Sequence, residues 1–134
     1  MIVATPARPG ADFAVVPSRA SLAEARDQVR RTVAGHIADV LVDDCVLLAS
    51  EVVADALLRG TERVVVSVRI EDDGVRVDIT DRGHGFANDV SRGTVHEPCR
   101  MLLEGLSAQW GTAPFPFLRG RTVWFEMPRV TCRM

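Results

Sequence analysis

Two short stretches carry side chains whose types and spacing suit small-molecule chemistry. The first is Asp81-Arg82-Gly83-His84-Gly85. Its carboxylate can accept a hydrogen bond from an exocyclic amine, and Gly83 and Gly85, lacking Cβ atoms, let the backbone approach a flat ring. A glycine-rich turn capped by aspartate has the same pattern, and on these five residues alone the turn is the preferred reading. The second stretch runs from Ser50 to Arg59, where Glu51, Asp55 and Arg59 recur every four residues and so share one side of a helix. Most stripes of this kind are solvated faces, with an Asp-to-Arg pair worth roughly a few tenths of a kcal/mol.

Other reactive side chains are scattered. His36, His84 and His96 have no neighbours at metal-ligand spacing and read as surface or loop residues. Cys45, Cys99 and Cys132 are odd in number and widely separated, which matches neither a disulfide framework nor a zinc pattern, so reduced thiols are expected. Cys99 stands near a helix start, where a lowered pKa would make it reactive, but an isolated cysteine on an amphipathic helix is more often simply packed. Trp110 and Trp124 read as core and strand-packing residues, since no basic groove accompanies them. All sixteen basic residues are arginine, so mechanisms that need a Walker lysine, a kinase strand lysine or a Schiff base are excluded.

The elements that position these residues follow from hydrophobic period. Phe13 to Val16 is predicted to form a short strand ending at Pro17. Ser21 and Glu24 have capping-box spacing, and Leu22, Ala25, Val29, Val33 and Ile37 then fall on one helical stripe. A second helix, capped by Asp43 or Asp44, presents Val46, Ser50, Val53 and Leu57 and stops at Gly60. The period then switches to two: Val64, Val66, Val68 and Ile70 alternate with polar partners, and Asp73-Gly74 turns the chain into Val75, Val77 and Ile79. Residues 81–98, rich in Gly and Pro, read as a functional loop. A third helix is expected from about Cys99, with Leu102, Leu103 and Leu106 inward and Trp110-Gly111 at its end, before two strands, the last over Thr122–Met127.

That order predicts a two-layer α/β sandwich, a mixed and mainly antiparallel sheet covered on one face by three helices. At 134 residues and 47% hydrophobic content, one domain with one core is expected, over residues 13–128, with a flexible start at 1–12 and a tail at 129–134. The net charge of −2 has no basic footprint for nucleic acid or an anionic membrane. No stretch is apolar for long enough to be a secretion signal or a membrane span, so a cytoplasmic protein is expected.

A helix carrying Glu51, followed by a hairpin that ends in D-x-G-x-G, has the order of the N-box and G1 box of the GHKL superfamily, which this chain resembles. Glu104, Leu106, Trp110-Gly111 and the run Gly120-Arg121-Thr122-Val123-Trp124-Phe125-Glu126-Met127-Pro128 look like the end of the small stand-alone members related to anti-sigma factor serine kinases. The likeness covers residues 13–128. It implies the Bergerat fold of histidine-kinase-like ATPases, with ATP and Mg²⁺ as cofactors. By the same likeness, Glu51 is the base or orienting group for an attacking hydroxyl, Asp55 stands at the Mg²⁺ position, Asp81 reads the adenine amine, Gly83 and Gly85 flank the adenine, and Thr122 lies near its end. The implied reaction moves the γ-phosphoryl group to a serine of an anti-anti-sigma partner, while another surface holds a sigma factor; a homodimer is compatible with the likeness. Three positions depart from the pattern: Asp55 replaces the Mg²⁺-holding asparagine, Arg59 replaces a following histidine, and Glu97-Pro98-Cys99 stands where a G-x-G run cradles phosphates. Proline removes an amide donor and glutamate adds an anion there, which opens an alternative: a Bergerat-fold module that has lost productive ATP binding and works through protein contacts.

Overall fold

A computed structural model describes residues 8–61, 63–81, 95–114 and 120–130. Among these residues, five strands form one sheet in the order β1-β2-β3-β5-β4: β1 Arg8–Val15, β2 Val64–Glu71, β3 Gly74–Asp81, β4 Gln109–Pro114 and β5 Arg121–Pro128. Among the described residues every neighbouring pair is antiparallel, so the sheet is antiparallel where a mixed one was expected. Three helices complete an α/β two-layer sandwich: α1 Ser21–Val33, α2 Asp39–Leu58 and α3 Glu97–Leu106.

The core is built from the two periods read in the sequence. Val64, Val66 and Val68 of β2, Val77 and Ile79 of β3, and Val123, Phe125 and Met127 of β5 alternate onto one face and are buried. Ala25, Val29 and Val33 of α1 and Leu103 of α3 close over them. Helix α2 is central: Leu41, Val42, Cys45, Val46, Leu48, Ala49, Val52, Val53 and Ala56 are all buried, so it is apolar on nearly every side. Each of the larger of these side chains contributes about 1.5–3 kcal/mol by leaving water.

Several boundaries differ from the predicted ones. Strand β1 reaches back to Arg8, because its backbone pairs with β2 as far as Ile70. Ser21 and Glu24 make no capping box: Ser21 lies inside the first turn and its hydroxyl donates to the Ser18 carbonyl at 2.8 Å. Helix α2 starts at Asp39, a turn before Asp43 and Asp44, since burial of Leu41 and Val42 outweighs the weak helix propensity of the aspartates. The hairpin turn is Asp72-Asp73, with Glu71 paired to Gly74. Helix α3 ends at Leu106, and Trp110-Gly111 belongs to β4, paired with Phe125 and Trp124.

The opposite sheet face is polar. Arg76 lies over the Trp124 ring at 4.4 Å from its centroid and pairs with Asp78 at 2.9 Å. The indole in turn covers Gly111, where a Cβ atom would fall 2.8 Å from the ring, so only glycine fits under it. Both tryptophans thus take up the packing roles their sequence context suggested, with Trp110 set against the core.

Candidate functional site

The end of β3, the start of β5, the last turns of α2 and the start of α3 meet at one edge of the sandwich. Antiparallel pairing sets Asp81 directly opposite Arg121. Because alternate strand residues share a face, both side chains point to the helices, where Asp55 arrives from α2. The guanidinium of Arg121 joins the two acids: its Nη2 donates to Asp55 Oδ2, and its Nε stands 3.4 Å from Asp81 Oδ2. Arg121 has no exposed surface, Asp81 is 1% exposed and Asp55 8%. Among the described residues this is a buried ion cluster in which two carboxylates share one cation.

Asp55 reaches a further element. Its Oδ1 accepts a hydrogen bond from the backbone N–H of His96, the residue that precedes α3, at 3.3 Å. Helix N-termini attract anions through their unsatisfied amides and the helix dipole. Here the anion is supplied by the chain itself. Asp81 Oδ1 is also buried, and among the described residues it accepts no hydrogen bond. At the start of β5, Gly120 has φ +118°, a conformation that side chains avoid, and this lets the chain turn in so that Arg121 enters the cluster.

Glu51 is half-buried one turn before Asp55 on α2. Its charge is felt at α3: burial pushes the Cys99 thiol up to about 12, and the negative charges of Asp55 and then Glu51 add to that, with Arg121 opposing. Cys99 is therefore a buried neutral thiol, and the helix start does not activate it.

The structure brings together Asp55 and Asp81, with Glu51 close by. Thr122 is set apart from them: it faces the other side of the sheet, where its hydroxyl lies 2.9 Å from that of Thr80. Gly83 and Gly85 lie outside the described residues, as does His84. The residue missed by sequence reasoning is Arg121. Its signal was present, because extending the alternation of Val123, Phe125 and Met127 back by one step puts position 121 on the buried face, next to the end of β3.

In this arrangement Asp55, the residue at the Mg²⁺ position, is already engaged by other groups of the chain. Its Oδ2 accepts from the Arg121 guanidinium and its Oδ1 from the His96 amide, so a metal there would share the carboxylate with a cation. Among the described residues, no group of three or more His, Cys, Asp or Glu could hold a metal ion, and no helix is long and apolar enough to cross a membrane. No protein-family model matches the chain, and no curated protein matches it in sequence.

Proposed function

We propose that this chain is a cytoplasmic regulatory protein of the Bergerat, GHKL-like type, akin to anti-sigma factor serine kinases, that acts by binding a protein partner without turning over ATP. The partner class is a sigma factor or an anti-anti-sigma protein. What carries the reading is the closure of the candidate nucleotide site by its own side chains. Asp81, the group for the adenine amine, is paired with Arg121; Asp55, the group for the metal, is paired with the same arginine; and Asp55 fills the anion position at the start of α3. Glu97 and Pro98 in the first turn of that helix weaken it further as a phosphate cradle.

A second reading, ATP-dependent serine phosphorylation with Glu51 as base, draws support from Asp81 Oδ1, a buried acceptor without a hydrogen bond from any described residue. One assay separates the two. The chain is mixed with purified sigma factor or anti-anti-sigma protein of its own source, and the complex is followed by size-exclusion chromatography with and without ATP and Mg²⁺, using labelled γ-phosphate. The expected result is a complex that forms equally well without nucleotide and no label on either partner. Label transfer lost in Glu51→Ala would establish the kinase reading instead.

A further inference from the structure

We propose that Asp55 and Asp81 form a buried receptor for a planar, positively charged N–H donor, an amidinium or guanidinium group, and that the chain keeps it filled with Arg121 as an internal ligand. The inference does not depend on the protein-binding reading, because the plug would be present in a chain with no partner at all.

Three observations carry it. The two carboxylates come from different elements, α2 and β3, and among the described residues they meet at the guanidinium that arrives from β5. Two buried like charges repel strongly in a low-dielectric interior unless a cation stands between them, so the pair selects a cation. Asp81 Oδ1 then leaves an acceptor within the same buried cluster that no described residue satisfies, so the receptor has more acceptor capacity than the Arg121 contacts in it use.

Shape and charge also define what the receptor rejects. A guanidinium offers a rigid fork of N–H donors that matches carboxylates, whereas a hydrated point charge or a neutral amine does not. A neutral exocyclic amine supplies hydrogen bonds without charge, so it does not displace Arg121 from either acid.

Chemical complementation tests the receptor. Arg121→Ala removes the plug and is expected to lower the melting temperature. Millimolar guanidinium or acetamidinium chloride should then raise it by a few degrees, by binding only the folded state, with no such rise in the wild type. An equal rise with potassium chloride at the same ionic strength, or no rise with either organic cation, would overturn the proposal. Measurement on the wild type decides independently of whether that variant folds: by NMR, the Arg121 Nε–H should exchange with solvent at least about 100-fold more slowly than that of exposed Arg31. Exchange of Arg121 at the rate of Arg31 would show that the guanidinium is not held, and the receptor would fall with it.

Discussion

Asp55→Ala is expected to lower the unfolding free energy by about 3–5 kcal/mol, measured by urea denaturation, because it takes a carboxylate away from the fully buried Arg121. The loss is large for a reason that does not require the ion cluster to be strongly stabilising in itself. Taking two acids and an arginine out of water carries a heavy desolvation cost, which their mutual attraction offsets only while all members are present. The triple variant Asp55→Leu, Asp81→Leu, Arg121→Met, which removes every charge and keeps the volume, should therefore unfold within a few kcal/mol of the wild type, on either side, and well above Asp55→Ala. By contrast, breaking the exposed Arg30–Asp43 pair with Arg30→Ala should change stability by no more than about 1 kcal/mol. If Asp55→Ala behaved like Arg30→Ala, Arg121 would have an alternative partner and the cluster would not hold the edge of the sandwich together.

The thiols offer a second large effect. Burial, and next the charge of Asp44, push Cys45 up to about 12; Cys99 is raised to the same value by burial, Asp55 and Glu51. Three pKa units above the ordinary thiol reduce the thiolate fraction by about a thousandfold near pH 8, and the thiolate is the nucleophile. In a Cys132→Ser variant, alkylation by iodoacetamide at pH 8 should accordingly be about a thousandfold slower in the folded protein than in urea. Alkylation of either cysteine at the unfolded rate would mean that its side chain is open to solvent. The same shift has a consequence for stability. Folding keeps both thiols protonated, so the unfolded chain ionises first; stability is fully present below pH 9 and falls as pH rises from 9 toward 12.

Most of the fold was legible in the hydrophobic period, and the reasons for the exceptions are physical. The hairpin of β2 and β3 and the stripe of α1 were strongly patterned: the alternating hairpin residues and Ala25, Val29 and Val33 are buried as predicted, whereas Leu22 is half-buried and Ile37 lies past the end of α1 at Val33. The start of α2 was missed because Asp43 and Asp44 look like caps, whereas the helix continues one turn back under Leu41 and Val42. Trp110-Gly111 was read as a helix end because glycine commonly stops helices, but here its missing Cβ makes room for the Trp124 ring across the strand pair. The site was half legible. Residue type and order singled out Glu51, Asp55 and Asp81, and the fold does bring the last two together. What spacing in the chain could not convey was that an arginine 66 residues after Asp55 stands between them, since that depends on strand register. Thr122, one step along the same strand, was chosen for its type, yet the two-residue alternation sends it to the other face.

The proposal that the site is closed to nucleotide is tested most directly by titrating the wild-type protein with ATP and Mg²⁺ in a calorimeter, with Asp81→Asn titrated alongside. With Arg121 held between Asp55 and Asp81, no saturable heat is expected up to millimolar ATP in either protein. Micromolar binding by the wild type that disappears in Asp81→Asn would contradict it, because it would mean that the arginine yields its place and that Asp81 reads the nucleotide after all.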